Sequence, residues 1–249
     1  MVEDQAEAAA AAPATFTFLF TDIEGSTRLL TELGAAFSEV LRTHHEILRE
    51  AIESHGGVVE RTEGDAFFAL FPTAQAAVSA AVDAQRRLAT EPWPRDDPLK
   101  VRMGLHTGEA ARVDDELVGL DIHRAARIAA VGWGGQVLVS EASRQLLSGE
   151  RADIELRDLG AHRLKDLDAP QHLYQVVCSG LREDFPALRS LDHLPNNLPS
   201  PSLIAFSASS VARLLMARFV RSARSMPTSK PAIDPEMVTG SVTRPSSCV

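Results

Sequence analysis

Two aspartates in the sequence stand where their carboxylates could hold divalent metal ions. The stretch 15–27, TFTFLFTDIEGST, begins as an apolar run, reaches Asp22 and then turns at Gly25. The stretch 58–71, VVERTEGDAFFALF, has the pattern of two strands joined at a bend that carries Asp65. Carboxylates at neighbouring strand tips supply the hard oxygen ligands that Mg²⁺ or Mn²⁺ prefers. Such a pair can support two-metal phosphoryl chemistry.

The residues after Asp22 predict a phosphate-binding turn. Helical periodicity begins at Ser26 and Thr27, and the N–H groups of a helix N-terminus point outward and favour phosphate. Taken singly, Asp22 has a simpler interpretation as an anion near a helix N-terminus, and Asp65 as a turn residue. Together, beside this turn, the two carboxylates indicate a metal-dependent site for a nucleoside triphosphate.

Charge and cysteine content limit the partners and the compartment. The net charge is −9, and residues from 181 onward carry eight Lys or Arg and five Asp or Glu (+3), so the first 180 carry −12. An acidic main domain argues against nucleic-acid binding.

Cys178 and Cys248 lack metal-ligand or redox spacing, and neither a signal peptide nor an apolar run of membrane-spanning length is present. These features predict a cytoplasmic protein.

Hydrophobic periodicity predicts the elements that position these groups. Helical spacing covers 26–54, 73–89 and 120–130, and strand patterns cover 99–107, 136–139, 154–164 and 172–177. Gly108 is expected to turn the strand 99–107 back into a short partner strand. The resulting β-α-β-β-α-β order, with additions, predicts an α+β fold with a ferredoxin-like sheet and helices on one face.

Adjacent His44 and His45 would point about 100° apart on a helix, which predicts surface positions rather than a metal pair.

The domain organisation follows from composition. Residues 1–14 are predicted to be a disordered leader, 15–180 the main domain and 181–249 a low-complexity tail. Within the tail, 211–224 has the pattern of a short basic amphipathic helix. Such a segment can touch an anionic membrane or a partner, and the alternative is a marginal helix of no fixed role.

Three ordered blocks resemble the class III adenylate/guanylate cyclase homology domain over roughly residues 15–177. They are FTDIEGST, then EGDAFFALF, then VRMGLHTG followed by GLDIHRAARI. The resemblance implies the cyclase fold and conversion of ATP, with GTP as the other candidate, into a cyclic nucleotide and pyrophosphate. It also implies two Mg²⁺ or Mn²⁺ ions per site and a homodimer with shared active sites. The segment 190–199, SLDHLPNNLP, resembles the linker behind such a domain in long bacterial ATPase/helix-turn-helix regulators.

The resemblance assigns roles to individual residues. It makes Asp22 and Asp65 the metal ligands, and Arg127 the arginine that neutralises phosphate charge in the transition state. Lys165 resembles a late lysine that contacts the terminal phosphates. Without the resemblance, Arg127 would be a solvated helix arginine and Lys165 an ordinary lysine near a strand end. The turn that would hold the substrate comprises Ile23, Glu24, Gly25, Ser26 and Thr27.

Three positions depart from the family pattern. Arg61 stands where adenylate-forming members usually carry the adenine-contacting Lys, and Glu116 stands at the second base-reading position, although the alignment can slip to Asp115. His123 replaces the Asn that orients the ribose at the catalytic centre. In the shared site, Asp22 and Asp65 of one chain would meet Glu116, His123 and Arg127 of the other.

These departures support an alternative function. The domain would then be a catalytically degenerate cyclase homology domain that acts as a nucleotide-binding or protein-interaction regulatory module. A transcriptional regulator, the third possibility, rests on the linker alone and lacks a DNA-reading element.

Overall fold

The computed structural model describes residues 12–95, 97–114, 116–147 and 153–193. The described residues fall within one compact unit, Met1–Pro195, and the predicted helix 211–224 lies outside them. In chain order the elements are β1 (Ala14–Ile23), α1 (Ser26–Leu33), α2 (Phe37–Ser54), β2 (Val58–Glu63), β3 (Ala66–Phe71), α3 (Ala74–Thr90), β4 (Val101–Val113), β5 (Glu116–Val118), α4 (Leu120–Val131), β6 (Val137–Ser140), α5 (Glu141–Gln145), β7 (Ile154–His162) and β8 (Gln171–Cys178). Two 3₁₀ turns cover Gly34–Ala36 and Leu191–His193.

The strands form one mixed sheet in the order β2-β3-β1-β4-β6-β8-β7, with β5 paired to the far end of β4. The part β4-β1-β3-β2 has the strand order of a ferredoxin-like unit, with α2 after β1 and α3 after β3. Within this unit every neighbouring pair of strands is antiparallel, whereas the pairing of β4 with β6 at its edge is parallel. The predicted α+β class and ferredoxin-like arrangement are confirmed.

One detail of the predicted fold is different, because helices cover both faces of the sheet. Leu19 and Ile23 of β1 pack in the core that contains α2 and α3, whereas Phe18 packs with Ala125 of α4. Alternate strand residues point to opposite faces, so α4 lies on the face opposite α2 and α3. Gly104 makes this possible, because a Cβ there would overlap the backbone of Ala129 in α4.

Two predicted boundaries are wrong for reasons that involve glycine. The expected helix 26–54 is divided at Gly34, whose φ of 54° and ψ of −123° cannot continue a helix. The expected turn at Gly108 is absent, because β4 continues to Val113. Gly108 instead leaves room for the carboxylate of Asp121, which would overlap a Cβ at that position.

His44 lies in the core of the protein, which corrects the predicted surface position. Its side chain is fully buried, and its ring meets the edge of Phe67 at a centroid distance of 5.9 Å. Both ring nitrogens lack a hydrogen-bond partner among the described residues. Burial, with a smaller contribution from His45, lowers the pKa of His44 to about 3. His44 is therefore neutral in the folded protein at neutral pH.

The chain after β8 packs back onto the domain. Leu188 is buried with Ile128 and Val131 of α4 and with Leu164. The first part of the predicted tail thus contributes to the domain, with Leu188 in the core on the α4 face and Leu181 packed against the core on the other face. Across the described residues, no helix has both the length and the apolar character needed to cross a bilayer.

The close contact at Gly104 predicts a large effect of a small substitution. Gly104→Ala should lower the free energy of unfolding by about 2 kcal/mol, because either β4 or α4 must move to accommodate the methyl group. Urea unfolding would measure this change. Gly132→Ala is the control, because its φ is −76° and the nearest atom to its Cβ would be a side-chain atom, Leu138 Cδ1, at 3.2 Å, whereas at Gly104 it would be the backbone nitrogen of Ala129 at 2.3 Å. Equal losses for the two variants would contradict the close packing of α4.

His44 predicts a defined pH dependence of stability. An unfolded histidine has a pKa near 6.5, whereas that of folded His44 is about 3, so the unfolded state binds more protons between these values. The stabilisation that comes from burying neutral His44 is therefore fully present above about pH 6.5, and it is lost progressively as the pH falls from 6.5 towards 3. Urea unfolding of the wild type and of His44→Leu should therefore diverge, with the wild type losing about 1–2 kcal/mol more between pH 7 and pH 5. Parallel pH profiles for the two proteins would contradict this assignment.

Candidate active site

The fold brings Asp22 and Asp65 to the same edge of the sheet. Thr21 pairs with Phe67, so the end of β1 lies beside the bend between β2 and β3. Asp65 Oδ2 accepts a hydrogen bond of 2.8 Å from the backbone N–H of Ile23, the residue that follows Asp22. Gly64 has a φ of 58°, which lets the chain bend immediately before Asp65.

Arg102 compensates the charge of Asp22. The two residues are directly opposite in the pairing of β1 and β4, and Arg102 Nε donates to Asp22 Oδ1 at 2.8 Å. A second guanidinium nitrogen contacts Asp22 Oδ2, which makes the pair bidentate. Both side chains are partly buried, so solvent screens this pair less than a surface ion pair. A cation that binds Asp22 would compete with Arg102 for this carboxylate.

The donor set fits hexacoordinate divalent cations that complete their shell with substrate. Within the described residues, no group of three or more His, Cys, Asp or Glu side chains could hold a metal ion. Mg²⁺ is commonly held by one or two carboxylates together with water and substrate phosphates. Asp22 and Asp65 can supply such a partial shell, with the remaining ligands coming from nucleotide and water.

The turn between β1 and α1 has the backbone shape that phosphate binding requires. Gly25 has a φ of 72° and is the N-cap of α1, whose first residues are Ser26 and Thr27. The carbonyl of Gly25 accepts the N–H of Leu29 at 3.0 Å, so α1 begins directly after Gly25. The first N–H groups of a helix have no intrahelical acceptor and can bind an anion. Because α1 starts three residues after Ile23, whose N–H donates to Asp65, these groups follow closely on Asp22 and Asp65.

Glu24 holds the turn to the rest of the domain. Its backbone N–H donates to the carbonyl of Lys100 at 2.8 Å, and its Oε2 accepts the N–H of Gly134 at 3.1 Å. Its other oxygen pairs with Arg189. Burial raises the pKa of Glu24, but the hydrogen bonds from Arg189 and Gly134 outweigh it, and the net pKa lies below the ordinary value. The Glu24 side chain is therefore a charged internal anchor.

A second group of predicted residues lies on α4 and the loop after β7. His123 is exposed on α4. Arg127, one helical turn later, donates to Asp166 Oδ2 at 2.6 Å. Asp166 has a positive φ of 61° and directly follows the exposed Lys165. The structure thus places Arg127 beside the loop that carries Lys165.

The two positions that were predicted to read the base face each other within one chain. Arg61 on β2 and Glu116 on β5 approach to 3.8 Å, and both side chains are exposed. Arg112, on β4, pairs with Glu60 at 2.9 Å, which adds a second contact between β2 and the β4–β5 end of the sheet. Asp115, the alternative alignment position, lies outside the described residues.

A partly buried network that the sequence did not indicate fixes the start of α4. Asp121 accepts the N–H of Glu109 at 2.8 Å, lies 3.3 Å from His106 Nε2 and pairs with Arg124. His106 Nδ1 lies 2.8 Å from Ser140 Oγ. Burial lowers the pKa of His106 although Asp121 opposes that shift, which favours a neutral ring. The network holds the α4 turn from which His123 projects.

Arg102, Asp166 and Arg189 were likewise missed from the sequence. A charged residue inside the alternating strand 99–107 was a signal for Arg102. For Asp166 and Arg189 no local signal existed, because their partners lie 39 and 165 residues away.

A family model for the adenylate and guanylate cyclase catalytic domain matches residues 9–177. The chain belongs to this family. Cyclase structures share its fold. An adenylate cyclase from Trypanosoma brucei superposes with a TM-score of 0.66 at 26% identity, covering 70% of this chain and 92% of that chain. The adenylyl cyclase CyaB from P. aeruginosa superposes with a TM-score of 0.60 at 27% identity, covering 70% and 98%.

Sequence relatives of this cyclase-domain protein include bacterial and fungal proteins. An uncharacterized protein from Mycobacterium tuberculosis is 37% identical over 187 residues, which cover 74% of this chain and 63% of that protein. An adenylate cyclase from Podospora anserina is 29% identical over 216 residues, covering 64% of this chain and 10% of that protein. The chain thus spans less than two thirds of the length of these relatives. The similarities support a nucleotide cyclase domain.

Proposed function

We propose that this protein is an adenylate cyclase that converts ATP into cyclic AMP and pyrophosphate in cytoplasmic signalling. The observation that carries the proposal is the convergence of Asp22 and Asp65 beside the turn at Gly25. A relative named adenylate cyclase and the fold shared with solved adenylate cyclases support ATP as the substrate.

In the proposed reaction the ribose 3′-hydroxyl gives its proton to water, its oxygen forms a bond to the α-phosphorus, and the bond from that phosphorus to pyrophosphate breaks. Asp22 and Asp65 would hold two Mg²⁺ or Mn²⁺ ions, which when bound would acidify the 3′-hydroxyl and screen the phosphates. The N–H groups of residues 25–27 would bind phosphate oxygens. Arg102, released from Asp22, would be free to pair with a phosphate, and Arg127 would stabilise the charge that develops as pyrophosphate departs.

The catalytic site would be shared between two copies of the chain. Asp22 and Asp65 lie at the strand tips, whereas His123 and Arg127 lie on α4. Large apolar residues beside this second group are exposed, with Val118 at 45% and Leu120 at 67%. Exposed apolar residues next to functional positions support burial against a partner, for which a second copy is the proposed occupant.

A nucleotide-binding module without catalysis is the second candidate. It is favoured by the pairing of Arg61 with Glu116, because two base-reading groups that bind each other must separate to read a purine. His123 also differs from Asn in reach, and misplacement of the 3′-hydroxyl by about 1 Å can cost on the order of a hundredfold in rate.

A cyclase assay with Mn²⁺ and either ATP or GTP separates the two candidates. We expect weak turnover that is higher with Mn²⁺ than with Mg²⁺ and prefers ATP. Asp65→Asn should lower the rate by about a hundredfold while retaining the fold, because a metal ligand is lost. Asp83→Asn is the control, since Asp83 lies on α3 away from the site. Triphosphate binding without product would favour the binding module, and unchanged Mn²⁺-dependent binding in Asp65→Asn would exclude the two-metal site.

Mixing inactive variants tests the shared site. Asp22→Ala and Arg127→Ala should each be inactive alone and should recover about a quarter of wild-type activity when mixed equally, because half of the dimers would contain one complete site. Asp22→Ala mixed with Asp65→Ala is the control and should stay inactive, since both lesions affect the same half-site. If subunits exchange but activity does not return, the shared geometry is wrong.

A further inference from the structure

Residues 182–193 form a strap that crosses the domain after β8. At its start, Arg157 of β7 donates to the carbonyl of Glu183 at 3.0 Å. At its end, Arg163 donates to Asp192 through its backbone N–H and its side chain, at 2.8 and 3.0 Å. Between these anchors Leu188 is buried. The strap is therefore held along its length.

Arg189 is the strap residue that contacts the turn between β1 and α1, through Glu24. Its backbone N–H donates to the carbonyl of Val131 at 3.0 Å, which fixes the main chain at this point. Its guanidinium lies 3.7 Å from the ring centroid of Trp133. Trp133 is itself held, because its indole N–H donates to the carbonyl of Ala187 at 3.1 Å. The guanidinium is thus stacked in place and directed at Glu24.

The charge on Glu24 makes this contact relevant to substrate binding. Glu24 directly precedes Gly25, so its carboxylate belongs to the turn that would receive a triphosphate. A carboxylate without a partner there would repel the phosphates and would be free to leave Gly134. The bond to Arg189 cancels that charge and fixes the side chain.

We propose that Arg189 is a positioning residue for the nucleotide site, acting through Glu24 to hold the turn 24–27 and to neutralise its negative charge. The inference rests on the proposed function of this turn. It assigns to the strap a role in triphosphate affinity in addition to its role in packing. If the strap had a purely structural role, a substitution that weakens it would change the stability of the protein and leave its affinity for triphosphate unchanged.

The test compares Arg189→Gln with Arg157→Gln in the full chain. Both variants remove a guanidinium that anchors the strap, but only Arg189 contacts Glu24. Arg189→Gln should raise the KM for Mn²⁺-ATP and the Kd for ATP by about tenfold, with kcat within about twofold of wild type, because a charge-assisted hydrogen bond is lost. Arg157→Gln should leave both constants unchanged, and thermal unfolding should show comparable Tm values for the two variants.

Two further variants distinguish charge from packing. Arg189→Lys keeps the positive charge and should recover most of the affinity. Glu24→Gln combined with Arg189→Gln should bind ATP more tightly than Arg189→Gln alone, because no uncompensated carboxylate remains.

The outcomes separate this inference from the proposed function. If the wild type is an active cyclase and Arg189→Gln matches Arg157→Gln in KM and Kd, the inference alone is overturned. If the wild type makes no cyclic nucleotide but binds ATP, the proposed catalysis fails, and the Kd comparison still decides the role of Arg189. A wild type that neither binds nor converts ATP overturns both.

Discussion

The pairing register of β1 with β3 and β4 is the constraint on which the candidate site depends. It brings two carboxylates to one edge of the sheet, where their mutual repulsion must be offset. The N–H of Ile23 donates a hydrogen bond to Asp65, and the guanidinium of Arg102 donates to Asp22. A shift of β1 by one residue would reverse the direction of every side chain and separate these pairs. Backbone pairing and these internal donors thus hold both carboxylates of the candidate site in place.

The close approach of α4 is the second constraint. Gly104 and Gly108 leave space on one face of β4, and α4 fills it with Ala129 and Asp121. Because the helix sits this close, Asp121 can reach the N–H of Glu109 and the ring of His106. The orientation of α4 then determines where His123 and Arg127 lie. Small residues in the sheet therefore control the position of the proposed catalytic groups.

Ion pairs within the chain engage many of the groups that are proposed to bind the nucleotide or its metal ions. Arg102 pairs with Asp22, Arg127 with Asp166, and Arg61 with Glu116. The opposite charges at these sites attract each other and hold the side chains in defined positions. Binding of a metal–nucleotide complex would exchange these partners for cations and phosphates. The free energy of nucleotide binding would then be the gain from the new contacts with cations and phosphates minus the loss of the internal ion pairs.

The sequence by itself determined the order of the main elements, and it identified the candidate metal ligands and the candidate phosphate-binding turn. These features are local, because strand and helix periods and turn residues depend on neighbours in the chain. Tertiary structure alone decided which face α4 covers, that His44 is buried, and that Glu24 points to Arg189. Periodicity shows that a residue faces a core, but it does not show which later element forms that core. The Asp22–Arg102 and Glu24–Arg189 pairs span 80 and 165 residues, and strand register and strap packing bring them together.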